Sequence, residues 1–339
     1  MKRKIFIALI LIFAGLMSFY LREPEEFTRN SQAMNTIIRM TIYGHDDSPL
    51  DDAFTLLNEI DRRLSMYNPS SDISIINRNA GLQEVAPSPY ALEAVSDAMK
   101  LHEITKGVFN PLIGPVTKLW KINSAGGTIP SKESLDKAVS LSDIRNIVTS
   151  SDKIFLREKG CVIDLGGIAK GYASGKIARL FKDKGIKSAL IDLGGNVQAV
   201  GEKIDGSAWR IGIRNPLQPA GSPALVVDVK DCAVITSGNY ERYKTINGKK
   251  YSHFFNPLTG ESVNSDLLSV TVISDNGSLA DGLATAFMIT GVEKALEILR
   301  AMGNPPGVIF INQEGIIATS NLRGIITKSL ITPVFAEVQ

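Results

Sequence analysis

The spacing of apolar positions along this chain predicts its elements one after another. "NTIIRMTIYG" (35–44) is rich in β-branched residues and stops at glycine, which predicts a strand. "PLDDAFTLLNEIDRRLSMY" changes period and places Phe54, Leu57, Ile60 and Leu64 on one side of a helix. "NPSSDISIINRNAG" is turn-rich. "SPYALEAVSDAMKLHEITKG" predicts a second helix, stopped at Gly107. "FNPLIGPVTKLW" is irregular around Pro111 and Pro115, and a short helix is expected over 131–140.

The centre of the chain holds a sharper pattern. In "IDLGGIAKGYASGKIARLFKDKG" (163–185) an apolar strand end stops at Asp164, two glycines follow, and a helix is expected over 168–184. "DLGG" recurs in "KSALIDLGGNVQAVGE", with Asp192 28 residues after Asp164. The pair predicts two neighbouring strands that both end in Gly-Gly turns, joined by a β-α-β crossover. Such turns would leave an open floor where backbone approaches a ligand. Beyond them come strands in "SAWRIGIRNP" and "GSPALVVDVKDCAVITSGNYERY", and a hairpin-like loop, "NGKKYSHFFNPLTGESV". A strand in "LLSVTVISD" leads to one or two helices in "SLADGLATAFMITGVEKALEILRAMG", and "PGVIFINQEGIIATSN" closes as a hairpin. Strands and helices are mixed without strict alternation, which predicts an α+β fold of mixed sheets with packed helices.

The N-terminus adds a compartment. Lys2, Arg3 and Lys4 precede an unbroken apolar run from Ile5 to Leu21. That run exceeds a signal h-region of roughly 7–15 residues and reaches a short membrane span of about 17–25. No A-x-A cleavage site or lipobox cysteine follows. The expectation is an export signal, either cleaved or retained as a membrane anchor, with the body outside the cytoplasm. Composition is ordinary for a globular body, 44% hydrophobic and 21% charged, so one large domain or two packed ones fit. A net charge of +2 with no later basic run gives no sign of a nucleic-acid partner. Cys161 and Cys232 exclude a disulfide framework or a cysteine zinc site, leaving two buried thiols or one disulfide.

Several residues could carry chemistry. The junction after Asp164 aims backbone N–H groups and a helix N-terminus at one spot, which attracts phosphate. Neither standard phosphate motif fits: Ile168 stands where G-x-G-x-x-G needs glycine, and Tyr172 follows Gly171 where a P-loop needs lysine. A tight structural turn is the alternative. Asp281 and Thr285, four apart on a helix, project from one face as hard oxygen ligands for Mg²⁺. Equally, Ser278-x-x-Asp281 resembles a capping box. His253 sits in a polar loop as acid, base, phosphate contact or plain surface residue. Tyr67 is a stacking platform or a half-buried turn tyrosine. Ser237 lacks a G-x-S-x-G elbow and reads as a strand-to-turn serine.

Taken in order, the segments form one series: "MNT" (34–36), "LSMYNPSSDISIIN", "FNPLIGPVTKLW", "DLGGIAKGYA", "LIDLGGNVQAVGE", "TSGNYERY", "YSHFFNPLTG" and "SVTVISDNGSLADGLATA". The series resembles the ApbE family of FAD:protein FMN transferases over roughly residues 33–320. The resemblance implies a two-lobed body over 34–325, behind a leader (1–21) and a tether (22–33), with a tail over 326–339. It implies an enzyme that binds FAD with Mg²⁺, moves FMN onto a Ser or Thr hydroxyl of an exported flavoprotein, and releases AMP. The acceptor would carry a Ser/Thr-Gly-Ala-Ser/Thr-type motif, absent from this chain. By the family pattern, Asp281, Thr285 and the Gly167 carbonyl match metal ligands. Met34, Tyr67, Val108, Phe109, Asn110, Asp164, Lys170 and Phe255 match FAD contacts, and His253 a catalytic residue. The family often has aspartate where this chain has Asn110 and Asn256, so a changed metal affinity or pH dependence is expected. The rival readings are an FAD pyrophosphatase and a non-catalytic exported FAD-binding protein. A dinucleotide-dependent oxidoreductase lacks its Rossmann fingerprint.

Overall fold

The computed structural model describes residues 23–122, 128–218 and 222–338. The expected leader over 1–21 lies outside them. Among the described residues no helix is long and apolar enough to cross a membrane.

The strands in chain order are β1 (Glu25–Ala33), β2 (Thr36–Gly44), β3 (Ile147–Thr149), β4 (Ile154–Leu156), β5 (Ser188–Leu193) and β6 (Asn196–Gly201). They continue with β7 (Trp209–Arg214), β8 (Pro223–Val229), β9 (Ala233–Gly238), β10 (Tyr243–Ile246) and β11 (Lys249–Ser252). The last are β12 (Leu267–Ser274), β13 (Gly307–Asn312), β14 (Ile316–Thr319), β15 (Ile326–Ser329) and β16 (Val334–Ala336). The helices are α1 (Ser48–Leu64), α2 (Asp72–Arg78), α3 (Pro89–Ile104), α4 (Gly114–Trp120), α5 (Lys132–Ser140), α6 (Ala169–Asp183) and α7 (Gly277–Arg300). Nine strands form one sheet in the order β1-β2-β5-β6-β9-β12-β13-β14-β16, and β15-β8-β7 form a smaller one. This is the mixed α+β architecture expected from the sequence.

Helices cover one face of the large sheet and the three-stranded sheet covers the other. The uninterrupted apolar run of β13 follows from that. Val308 and Phe310 enter the helix-side core, whereas Ile309 and Ile311 enter the core against Trp209, Ile211 and Val227. α1 buries Ala53, Leu57, Ile60 and Leu64 on one stripe, leaving Phe54 half-buried.

Four expectations are corrected. The tether holds β1, which pairs with β2 from Glu25↔Gly44 to Ala33↔Thr36. It is polar because it is an edge strand with most side chains in solvent, and backbone pairing needs no apolar pattern. The tail is likewise built in: β15 pairs with β8, and β16 runs parallel to β14. The turn-rich stretch contains α2, started by Ser71, whose hydroxyl accepts from Ser74 N, and anchored by buried Ile73 and Ile76. Finally, no β-α-β crossover joins the two "DLGG" turns. Residues 161–165 are irregular, and β5 pairs antiparallel with β2 and β6.

α6 and α7 cross at two glycines. A Cβ on Gly171 would lie 2.1 Å from the Gly277 carbonyl oxygen and 2.7 Å from Asp281 Cβ. A Cβ on Gly277 would lie 2.4 Å from the Gly171 carbonyl oxygen. The contact therefore requires hydrogen at both positions. Gly171→Ala is expected to destabilise the protein by about 1–3 kcal/mol through overpacking. Gly175 in the same helix has open space at its Cβ, so Gly175→Ala should stabilise by roughly 0.5–1 kcal/mol. Urea denaturation of the two variants checks both signs.

Candidate active site

A cavity of about 690 Å³ opens where α6, α7, α4 and the loops around the β10–β11 hairpin meet. Its floor is the first "DLGG" loop and the start of α6. Asp164 holds that loop in shape: its Oδ1 accepts from Gly166 N at 2.9 Å and its Oδ2 from Thr117 Oγ1 at 2.9 Å. Its own N–H donates to the Pro111 carbonyl at 2.8 Å. No side chain caps the α6 N-terminus, which follows Ile168. Gly166, Gly167 and Lys170 line the floor around that terminus. The junction after Asp164 is thus an uncapped helix start facing a cavity, the arrangement that suits a phosphate.

The second "DLGG" turn does not share the cavity, contrary to the paired-floor expectation. Asp192 Oδ1 accepts from Gly195 N at 2.7 Å, and a Cβ on Gly194 (φ 66°) would lie 2.0 Å from Thr36 Oγ1. That turn packs beneath the β1–β2 hairpin. Met34 sits at the same hairpin tip, with φ 49° beside Asn35 at 59°, the left-handed pair that a two-residue hairpin demands. Its N–H donates to Asp61 Oδ2 at 3.0 Å. Of the residues matched from sequence to metal, FAD or catalysis, Met34 alone is not among those lining the cavity, and Asn256 does not line it either.

One wall is the first half of α7. Asp281 is 4% exposed, and its Oδ2 accepts from Gly171 N at 2.8 Å, a bond delivered by the glycine crossing. Asp281 is not a cap: the α7 N-cap is Asn276, whose side chain accepts from Leu279 N. One turn on, Thr285 Oγ1 lies 3.5 Å from the Gly167 carbonyl oxygen. The helix leaves regular geometry at Gly291, so the segment carrying these groups ends there. Burial pushes the Asp281 carboxyl above its ordinary range, against the opposing charge of Lys170 and the Gly171 N–H. The Asp281 carboxylate, the Thr285 hydroxyl and the Gly167 carbonyl form a set of hard oxygens around a poorly compensated charge, which fits a divalent cation. Among the described residues no group of three or more His, Cys, Asp or Glu could hold a metal. A cation here would therefore rest on one carboxylate, neutral oxygens and its own water or substrate.

The opposite wall is α4 with the preceding loop. Pro115 lies in the first turn of α4, where its missing N–H is no loss, so the proline starts this helix. The loop over 108–110 is fixed from α3: Phe109 N donates to Thr105 Oγ1 at 3.0 Å, and His102 Nδ1 meets the Phe109 carbonyl at 2.9 Å. Asn110 donates to the Ser142 carbonyl at 2.8 Å and accepts from Leu112 N at 2.9 Å. The donated bond is one that an ionised aspartate could not make. Asn256 Oδ1 accepts from Leu258 N at 2.9 Å. Both amides thus serve as loop scaffolds. The expectation that they alter cation affinity finds no support in these contacts.

The third wall carries His253, Phe254 and Phe255. Trp120 anchors it by donating to the Gly260 carbonyl at 2.8 Å and stacking on Phe255 at 6.0 Å. His253 Nδ1 is 2.9 Å from the Arg242 carbonyl, which can only accept, so Nδ1 carries the proton. Burial, helped by Arg242, pulls the imidazole pKa down to about 4. The ring is therefore neutral at pH 7, with Nε2 left as a base. Tyr67 stands at the rim, 65% exposed. The sequence reading missed Glu241, Arg242, Lys118 and Lys121, which also line the cavity. "TSGNYERY" held the first two. The lysines carried no signal, because α4 meets the hairpin only in the fold, where Lys244 Nζ donates to the Lys121 carbonyl at 2.8 Å.

A family model described as "ApbE family" matches residues 34–309. A Treponema pallidum protein named "FAD:protein FMN transferase" is 33% identical over 304 residues, 84% of this chain and 83% of that protein. One of the same name from Klebsiella pneumoniae is 29% identical over 88% of this chain and 93% of its own length. Among solved structures, the "Flavin Transferase ApbE" of Vibrio cholerae superposes with a TM-score of 0.80 at 26% identity. That match covers 89% of this chain and 99% of the other. The Pseudomonas stutzeri flavinyl transferase ApbE, apo form, gives 0.81 at 26%, covering 91% and 99%.

The histidine geometry has a direct consequence. On lowering pH, the His253 ring should stay neutral through 6.5 and take up its proton only near 4. Because the unfolded chain binds that proton first, this group's contribution to stability is lost as pH falls from about 6.5 toward 4. An NMR titration of the ring nitrogens checks this, and a midpoint near 6.5 would contradict it.

Proposed function

This chain belongs to the ApbE family, and on that premise we propose that it transfers the FMN part of FAD onto a protein hydroxyl. The observation that carries the reading is the convergence on one cavity of a neutral histidine, a buried carboxylate with hydroxyl and carbonyl oxygens, and an uncapped helix N-terminus.

The FAD pyrophosphate would lie at the α6 N-terminus. Lys170 adds a point charge there, and the helix end contributes about 0.3–1 kcal/mol. Mg²⁺, held by Asp281, Thr285 and the Gly167 carbonyl, would neutralise charge on the pyrophosphate oxygens. Phe109, Val108, Asn110, Phe255 and Tyr67 offer apolar and backbone surface to the rings. The acceptor Ser or Thr hydroxyl attacks the FMN phosphorus while His253 Nε2 takes its proton. A new O–P bond forms, the bridging P–O bond breaks, and AMP leaves with the electron pair. With a loose transition state, the protein's part is positioning and charge neutralisation. A well-placed base adds about 10²–10⁴-fold.

The acceptor is read as an exported flavoprotein with a Ser/Thr-Gly-Ala-Ser/Thr-type motif. The basic start and apolar run through Leu21 support anchorage on the outer face of the cytoplasmic membrane.

Incubation with FAD, Mg²⁺ and an acceptor domain carrying that motif should yield gel-resistant flavin fluorescence and an FMN-sized mass gain. Asp281→Ala should abolish the label, and His253→Ala should slow it about 10²–10⁴-fold. AMP without label, formed in an acceptor-free tube, would replace the reading with a pyrophosphatase. Bound, unchanged FAD would replace it with a storage protein.

A further inference from the structure

Asn196 opens β6, directly after the Gly194–Gly195 turn, and is 1% exposed. Among the described residues, neither its Nδ2 nor its Oδ1 has a hydrogen-bond partner of ordinary geometry. Buried amides are almost always paired, so an orphan on both ends needs a reason. Its neighbour supplies one. The amide approaches the Asp281 carboxylate closely enough to favour its ionised form, but not in the geometry of a full hydrogen bond. Asp281 is itself tethered through Oδ2 to the Gly171 N–H. A carboxylate held by one bond can still swing, and a second donor would fix it.

We propose that Asn196 is a positioning residue for the cation site: its Nδ2 donates to the Asp281 carboxylate once the site is loaded, fixing the carboxylate's rotation. The proposal rests on reading Asp281 as a ligand of a divalent cation. Its Oδ1 remains for a donor such as a water on a hydrated cation, which accounts for both orphan atoms. Partners behind a ligand typically change metal affinity about 10–100-fold when removed. Gln198, two residues on, is a natural control. It is also buried with an unpartnered Oε1, but its Nε2 is engaged by the Ala199 carbonyl at 3.0 Å.

The test measures Mn²⁺ binding to the purified protein without FAD, by electron paramagnetic resonance of free Mn²⁺, with melting curves alongside. Asn196→Leu keeps volume without polarity, Asn196→Ser is smaller, and a fold defect in one leaves the other to decide. Folded Asn196 variants should bind Mn²⁺ about 10–100-fold more weakly, while Gln198→Leu binds like wild type. Unchanged affinity in a folded Asn196 variant overturns the proposal. So does equal weakening by Gln198→Leu, which would mark a packing effect. Absence of Mn²⁺ binding in the wild type would instead overturn the cation reading of Asp281, and the Asn196 proposal with it.

Discussion

Two helices approach so closely at Gly171 and Gly277 that neither position has room for a Cβ. That approach sets the geometry of the cavity. It brings the backbone N–H of Gly171, in the first turn of α6, to Asp281 of α7. This bond ties the helix start that faces the cavity to the carboxylate that borders it. Thr285, one turn on, then falls beside the Gly167 carbonyl because i and i+4 share a face. Wider separation of the helices would break that bond and pull the oxygen cluster apart.

The electrostatics follow from the same packing. Asp281 is buried and pushed toward its neutral form, and Lys170 is the largest opposing charge. Around it the cavity has a slight basic excess, with Lys118, Lys121, Lys170 and Arg242 against Asp164, Glu241 and Asp281. Glu241 touches solvent but is crowded by protein in the hollow, which raises its carboxyl as well. Such a surface suits an anionic substrate. Burial, helped by the same positive surroundings, keeps His253 uncharged, and its bond to the Arg242 carbonyl fixes which nitrogen faces outward as a base. One arrangement thus suits an anionic substrate and keeps the histidine unprotonated.

Much of this was legible in the sequence. β2, α1 and α3 carry a periodic pattern, because each buries one face against a core, whereas the first part of α7 is apolar and buried nearly all round. The order of the short motifs named most of the cavity, because those residues lie on loops and helix starts that converge. Other parts were hidden for physical reasons. β1 is a polar edge strand, and edge pairing uses backbone that every sequence has. α2 is seven residues long, too short to show a period. The first "DLGG" looked like a strand end because Val162 and Ile163 are buried, but they fill a core as irregular chain. Lys118, Glu241 and Arg242 lay inside the motif series without standing out, Lys121 lay just past it, and His102 revealed its role only through the Phe109 carbonyl.

The central claim is that substrate phosphate and cation meet at the crossing of α6 and α7. The most direct test is diffraction from crystals grown with FAD and Mn²⁺, with data collected for the anomalous signal of manganese. The account requires the pyrophosphate at the α6 N-terminus and the anomalous peak among the Gly167 carbonyl, Asp281 and Thr285. FAD bound away from the first "DLGG" loop, or manganese held by other residues, would contradict it.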